Sequence, residues 1–571
     1  MSLRTAYFTM EIGLQSDIPT FAGGLGMLAA DLMRSAADMG VQAACMTLCW
    51  QYGYLHQELK ADGTQTYQDI SWKPTQHLKK RSERVTIRLE GRDITIGVWQ
   101  KDILGERSTV PVFFLDTNLE ENLPQDREIT RNLYGGDGAM RIRQEAVLGI
   151  GGVRMLRALG YADIGTFHMN EGHAAFLTLE LLRERNWHDE DVKRSCAFTT
   201  HTPVKAGHDV FGYELAYRIM GDLLPWHIRR IAGQEALSMT QLALSLSRYT
   251  CGVSRIHGAV SRAMFPGHSI DAITNGVHAV TWASPEIVAV LDSYCAGWKQ
   301  DPSVLTHKCR DIPDRDMWEA HEAGKHRLIS AVNKRTGSHL SPDCLTIGSA
   351  RRVVSYKRPE LLYTNLKRLT EVGRGKLQII HAGNAHPSDA FGQDVIRRMI
   401  ERSHELRDAV SIVYLPNYNP DLAKLLVQGV DVWLNTPMRL HEASGTSGMK
   451  ACVNGTLNLS TLDGWWAEAY EMDPEAGWRI GPLASALDDN DTRIVDAEDL
   501  YTQLQYEVIP EYHYPDRERW IRRMKRSVGL VGYFSTHRCI REYVERAWPE
   551  TCEAAPLAAC ADGAKCSVEM P

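Results

Sequence analysis

Residues 5–48 read TAYFTMEIGLQSDIPTFAGGLGMLAADLMRSAADMGVQAACMTL, and the period of their apolar residues changes three times. TAYFTME is strand-like, TFAGGLGM is a glycine turn, GMLAADLMRSAADMG has helical spacing, and VQAACMTL returns to a strand. Strand, loop, helix and strand in that order predict a crossover unit, and hence parallel pairing. Residues 85–100, VTIRLEGRDITIGVWQ, instead predict a hairpin about a Gly-Arg-Asp turn, and VPVFFLDTN adds a short strand, so an antiparallel insertion is expected here. From Ile142 the alternation resumes: a long helix through Leu159, a strand at IGTFHMN, a helix from Gly172 to near Arg185 and a strand at CAFTTHTP.

The second half repeats the rhythm. Strands at CLTIGSAR, KLQIIHAG, AVSIVYLP, VDVWLN and TLNLS alternate with helical stretches starting near Pro359, Ala390, Pro420 and Thr446. The fold class expected is therefore α/β, with two Rossmann-like, doubly wound domains facing a cleft and the antiparallel insertion in the first. The boundaries expected are 1–282, 283–535 and 536–571, the last a C-terminal helix and a loose tail ending ACADGAKCSVEMP. The junction falls within TNGVHAVTWASPE, and a cleft between domains is the default ligand site.

A chain of 571 residues is too long for one core. Its 44% hydrophobic and 24% charged residues are ordinary globular values, and a formal net charge of -7 gives no nucleic-acid or anionic-membrane footprint. The twelve cysteines include no CxxC pair, which points to reduced thiols and a cytoplasmic location. No stretch reaches membrane-spanning length.

Three segments place glycine or cations where loops meet helices. Gly23-Gly24-Leu25-Gly26 opens a helix, and its free N–H groups can face an anion or simply make a tight turn. ARRVVSYKRP crowds Arg351, Arg352, Lys357 and Arg358 at the carboxyl end of a predicted strand, where phosphate recognition competes with plain surface charge. EASGTSGMK, residues 442–450, ends a run of small residues on Lys450. That lysine has three readings: a solvated helix residue, a point charge for phosphate, or a Schiff-base carrier. The histidines make no HExxH or Cys/His cluster, so no metal site is expected.

AYFTMEIG, FAGGLGMLAADLMRSAADMG, LYGGDGAMRIRQEAVLG, HMNEGHAAF, TTHTPVKAGHD, ITNGVHAVTW, SYKRPELL, LPNYNPDLAKLLVQGVDVWLNTP, EASGTSGMK and STLDGWWAEAY occur in this order. Together they resemble the α-glucan (glycogen, starch or maltodextrin) phosphorylases in their short microbial form, from about residue 5 to about 535. The resemblance implies the glycosyltransferase-B architecture. It also implies a homodimer and reversible, retaining phosphorolysis of an α-1,4-glucan to glucose 1-phosphate.

By the same resemblance Lys450 holds pyridoxal 5'-phosphate as a Schiff base. Gly23 and Gly24 face the two phosphates, Arg352 and Lys357 grip the substrate phosphate, and Arg351, Thr446, Ser447 and Gly448 lie by the cofactor phosphate. Tyr418 and Trp282 are similar in placement to cofactor contacts. Glu442, Ala443, Ser444, Gly445, Leu25, His201, Asn275 and Tyr356 resemble the residues around the transferred glucosyl unit. The expected chemistry has phosphate attack an oxocarbenium-like centre and protonate the leaving sugar oxygen, with His201 steadying a hydroxyl instead of acting as a base.

This sequence departs from the family pattern in two places: Arg351 replaces a frequent lysine, and Asn384 in HAGNAHP stands where many relatives carry lysine. It also begins almost at its first strand, so the nucleotide and phosphorylation control of regulated animal enzymes is not expected. A nucleotide-sugar glucosyltransferase of glycogen synthase type is the alternative, opposed by Lys450 where such enzymes place a second glutamate. An inactive glucan-binding relative is a further alternative.

Overall fold

The computed structural model describes residues 3–60, 62–482 and 492–548. Its first sheet has ten strands. β1 (Thr5–Thr9) leads through α1 (Gly24–Met39) to β2 (Ala43–Leu48), followed by β3 (Arg92–Leu104), β4 (Thr109–Asp116), β5 (Thr166–Asn170), β6 (Cys196–Thr199), β7 (Tyr249–Gly252) and β8 (Asp271–Ala272). They lie in the order β8-β7-β6-β5-β1-β2-β4-β3, with Lys79–Lys80 on the edge of β3 and Val85–Leu89 also paired to it. Every pairing from β8 to β4 is parallel, and β4 with β3 is antiparallel. The insertion therefore extends one edge and leaves the parallel centre intact.

The hairpin turn is Glu90-Gly91, one residue earlier than expected, because Leu89 pairs with Arg92. Both turn residues have positive φ, 51° and 75°, as the twist of a two-residue hairpin demands.

The second sheet has six parallel strands. β9 (Leu345–Ala350), β10 (Leu377–Ala382), β11 (Ser411–Leu415), β12 (Val432–Asn435), β13 (Leu457–Thr461) and β14 (Gly477–Ile480) lie in the order β11-β10-β9-β12-β13-β14. β14 carries too few apolar residues to be read from pattern alone and is an addition to the expected set.

No α-helix starts at Pro359. Proline disfavours the helical region for the residue before it, and Arg358 takes φ 44°. Single 3-10 turns at Ser355–Lys357 and Leu361–Tyr363 flank the bend, and the helix begins at Leu366, capped by Asn365 on the Arg368 N–H. The helix through Leu159 runs as expected but carries a π turn at Val147–Gly151. Gly149 lies there against the next helix, where a Cβ would come 2.4 Å from the Leu177 nitrogen.

The first sheet buries both faces, so its strands alternate between two cores. Phe8 and Phe198 face one core, with Leu148, Phe176 and Leu181. Tyr7 and Ala197 face the other, with Leu28 and Leu32 of α1. That second core is closed by the helix Thr536–Arg546, which returns to α1 through a 2.6 Å Ser35–Thr536 hydroxyl contact. Trp548 completes it, its indole N–H donating to His168 Nδ1 at 2.9 Å. The segment expected to form a loose tail lies outside the described residues.

Four buried histidines and two partly buried ones make the fold sensitive to acid. Burial pushes His173, His201, His257 and His537 down to about 4, and His168 and His381 down to about 3. A base depressed in the folded state takes its proton more readily in the unfolded chain, so stability is held above the unfolded value and lost as pH falls through about 6 toward 4. Several such groups acting together oppose a stability of only roughly 5–15 kcal/mol. Cooperative unfolding is expected before pH 4 is reached, read by far-UV circular dichroism; a protein still folded at pH 4 contradicts it.

Candidate active site

Both sheets reverse their strand order beside their first strand, and ligand crevices form outside the carboxyl ends of strands at such points. In the first sheet that point lies between β1 and β5, which end at Thr9 and Asn170. In the second it lies between β9 and β12, which end at Ala350 and Asn435. The candidate residues gather at these two places. Hydrogen bonds join them: Ser254 Oγ donates to the Ala443 carbonyl at 2.6 Å, and Arg255 N and Thr274 Oγ1 donate to Glu468.

Lys450 lies on the short helix Ser447–Cys452 that follows the small-residue loop, its N–H bonded to the Thr446 carbonyl. The small residues are required by packing: a Cβ on Gly448 would meet Asn458 Oδ1 at 2.3 Å, and Gly445 takes φ 80°. Trp433 donates its indole N–H to Ser447 Oγ at 3.1 Å. The Lys450 side chain is 8% exposed, and its Nζ stands 3.9 Å from the centroid of the Trp282 ring. Among the described residues Nζ has no hydrogen-bond acceptor. Burial pushes this amine down to about 8, with Asp31 opposing and Arg34 and Lys424 assisting. A buried ammonium without a hydrogen-bonded partner is costly, which favours the neutral, nucleophilic form. This environment fits a lysine that condenses with an aldehyde and not a solvated helix residue.

Four cations follow β9, and the structure separates them. Arg351 bonds Asn435 Oδ1, Ser349 Oγ and the Leu434 carbonyl, spanning the ends of β9 and β12, and burial lowers it to about 10. Arg358 is bound to the Thr436 and Pro437 carbonyls and to Asp496. Lys357 pairs with Glu442; burial alone would lower its amine, but Glu442 outweighs that and the value is raised. Arg352 is exposed and makes no ion pair or hydrogen bond among the described residues. Its charge acts on the Tyr134 hydroxyl, which burial otherwise raises, so it faces the first sheet.

Glu442 is held from behind by its own N–H on Asp463 Oδ2 at 2.8 Å. Burial pushes the Asp463 carboxyl up to about 7. Tyr356 stacks on His441 and lies under the Lys357 amine. Burial raises Tyr418 to about 12, with Arg351 opposing. Asn384, the departure from the family pattern, clamps the backbone of Tyr418 through both its amide atoms at 3.1 Å.

On the first sheet Gly23 and Gly24 open α1 as expected, and neither would bring a Cβ within 4 Å of another group. Sequence reasoning missed the carboxylate beside them. Glu11 Oε2 accepts the Ala22 and Gly23 N–H groups at 2.7 and 3.1 Å, and Oε1 accepts the Tyr134 hydroxyl at 2.8 Å. The donors left for an anion begin at Gly24 and Leu25.

His201 shares the far side with Asn275, whose backbone bonds Val253 and Arg538. The His201 Nε2 meets Asn170 Oδ1 at 2.6 Å, and the His201 backbone N–H donates to Glu171 Oε2 at 2.7 Å. Glu171, also missed, has φ 73°, a strained conformation for a residue with a side chain, and accepts the Gly172 N–H and Thr202 hydroxyl as well. A lone glutamate inside HMNEGHAAF offers no periodic signal that could have found it.

Glu145, His173 and Asp209 bring their ligand atoms within 4.8 Å of one another, a grouping that spacing did not suggest. Arg141 already supplies a cation there, its Nε 3.3 Å from both Glu145 and Asp209.

Two parallel-dominated sheets, a buried lysine and a set of cations at strand ends make an α/β protein with a site suited to holding anions. A model of the family described as carbohydrate phosphorylase matches residues 225–477. Maltodextrin phosphorylase of Thermococcus litoralis is 36% identical over 95% of this chain and 70% of its own length. Glycogen phosphorylases of Aquifex aeolicus and Mycobacterium tuberculosis are 32% and 34% identical over 95% of this chain, and over 85% and 70% of theirs. The chain belongs to the carbohydrate phosphorylase family, and it is a glucosyltransferase.

Proposed function

We propose that this protein is a pyridoxal-phosphate-dependent α-1,4-glucan phosphorylase, cleaving glycogen, starch or maltodextrin reversibly and with retention to glucose 1-phosphate. The observation that carries the reading is the buried Lys450 amine, without a hydrogen-bond acceptor among the described residues and over the Trp282 ring, on the helix that follows the loop whose Glu442 pairs with Lys357.

The proposal extends to a glycosyltransferase-B arrangement, with domains 1–282 and 283–535 and the helix after 536 packed on the first. It also includes a cytoplasmic homodimer. No helix among the described residues is long and apolar enough to cross a membrane.

Lys450 anchors the cofactor, and Arg351, Tyr418, Thr446, Ser447 and Gly448 shape its pocket. When bound, pyridoxal 5'-phosphate supplies a second phosphate that can exchange a proton near neutral pH. Arg352 and the N–H groups of Gly24 and Leu25 bind substrate phosphate, while Lys357 divides its charge between that phosphate and Glu442. Held there, the phosphate faces the anomeric carbon and offsets its developing positive charge. Ala443, Ser444, Gly445, Asn275 and His201 position the sugar.

Because His201 is held at about 4, it is neutral throughout the working range. His201→Asn is expected to lower kcat/KM for glucan on the order of tenfold or more by losing a hydroxyl contact. The acid limb of the pH–rate profile should stay in place; a limb that vanishes would make His201 the titrating group.

The direct test of the function incubates the purified protein with maltodextrin and inorganic phosphate and measures glucose 1-phosphate. Release of glucose 1-phosphate supports the reading. Activity only with a nucleotide sugar, or binding of glucan without turnover, overturns it.

A further inference from the structure

The carboxylate of Asp31 is a buried acid whose charge acts on the Lys450 amine and that no role above uses. It lies in the middle of α1, among Leu28, Ala29, Leu32 and Met33, and is 1% exposed. One oxygen, Oδ2, accepts the Trp282 indole N–H at 2.7 Å and the His278 backbone N–H at 3.3 Å. The other, Oδ1, pairs with Arg34 one turn along at 3.0 Å. A buried carboxylate so placed fixes the plane of the indole, because the N–H of Trp282 has only one direction in which to point.

Fixing that plane fixes what stands on it. The Lys450 amine lies over the ring at 3.9 Å, and Lys424 lies 5.9 Å from the same ring. Behind them, Asn454 donates both to the Trp282 carbonyl at 3.0 Å and to the Lys450 carbonyl at 3.1 Å, so the two backbones are tied as well. The result is a chain of contacts from Arg34 to Asp31, to Trp282, to Lys450. It crosses from the helix that opens at Gly24 to the helix that carries the lysine. An anion bonded to the indole N–H also makes the ring face more negative, which strengthens its attraction for a cation above it.

We propose that Asp31 is a positioning residue for Lys450, acting through the Trp282 indole to set where the amine stands and how readily it gives up its proton. This rests on the reading of Lys450 as the cofactor anchor. The charges facing the amine are Asp31, which favours its protonated form, and Arg34 and Lys424, which disfavour it, set against a burial effect larger than any of them. Removing the Asp31 charge therefore pushes the amine further toward its neutral form.

The test uses the full chain freed of bound aldehyde with hydroxylamine. Trace acetylation across pH 6–10, followed by peptide mass spectrometry, gives the labelling rate at Lys450. In wild type the rate should rise with a midpoint near the value of about 8. Asp31→Asn keeps an oxygen for the indole N–H and loses the charge; at pH 7 its Lys450 should label roughly three- to fivefold faster, with the two proteins converging above about pH 9.5. Trp282→Phe keeps a ring face and loses the N–H, and it should reproduce part of this change with Asp31 intact.

Superimposable profiles for Asp31→Asn and wild type overturn the proposal, and an unchanged Trp282→Phe profile overturns its route through the indole. A general loosening of structure would raise labelling at every pH without convergence, and that outcome also counts against it. The anchor reading is judged separately: borohydride treatment after adding pyridoxal 5'-phosphate should leave the phosphopyridoxyl mass on Lys450. If the mass is found elsewhere, the anchor assignment fails, whatever Asp31 does.

Discussion

Lys450→Ala is expected to take up no pyridoxal 5'-phosphate and to release glucose 1-phosphate on the order of 10³-fold more slowly or worse than wild type. The fold should survive. The lysine ends in a buried amine with no acceptor among the described residues, so truncation removes an unfavourably placed polar group together with apolar stem packing, two effects of opposite sign. An unchanged thermal midpoint beside abolished activity is the signature of a lost anchor. A glucan offers no amine to exchange with the lysine, so the tether and the phosphate can be tested apart. Borohydride reduction of the wild-type protein should leave a substantial part of the rate, whereas refilling with pyridoxal lacking its phosphate should leave almost none. The reverse pattern, reduction fatal and phosphate dispensable, would show that the imine itself takes part.

Arg352→Ala should raise the KM for phosphate by about 10- to 100-fold, the value of one charge-assisted contact to a dianion, with the cofactor retained and the KM for glucan little changed. Arg352 is the cleanest of the four cations because it has no ion pair or hydrogen bond among the described residues to be broken by the change. Lys357→Ala is a different experiment. It strands Glu442, whose side chain is 8% exposed, and a buried charge left without its partner costs about 3–5 kcal/mol. That variant should lose thermal stability as well as phosphate affinity. Thermal shift assays on both, beside phosphate saturation curves, separate the roles; an Arg352→Ala enzyme with wild-type phosphate KM refutes the assignment.

Much of the second half was legible because a parallel strand buried on both faces is a short apolar run, and KLQIIHAG and VDVWLN can hardly be anything else. Arg351 to Arg358 could likewise be placed at a strand end from their position after CLTIGSA. What spacing could not do was divide those cations. Two of them close on carbonyls, Asn435 and Asp496, one pairs with Glu442 and one stays open, and apart from Ser349 beside Arg351 every partner is more than seventy residues away. Glu11 and Glu171 were missed for the same reason. Each is a single acid in an apolar word, and its meaning lies in which backbone N–H groups the fold brings to it.

By itself, then, the order of residues determined the alternation of strands and helices, the parallel sheets and the presence of a lysine after a loop of small residues. These follow from local periodicity and from the space a glycine leaves, which are properties of neighbours in the chain. Only the tertiary structure decided that Lys450 stands on Trp282 with Asp31 behind it. It alone decided that the helix after Thr536 closes the first sheet, and that of four clustered cations only Arg352 is left unpaired among the described residues. Burial, and with it the direction in which each amine, imidazole and carboxyl is pushed, depends on atoms brought together across hundreds of residues, and no local pattern carries that information.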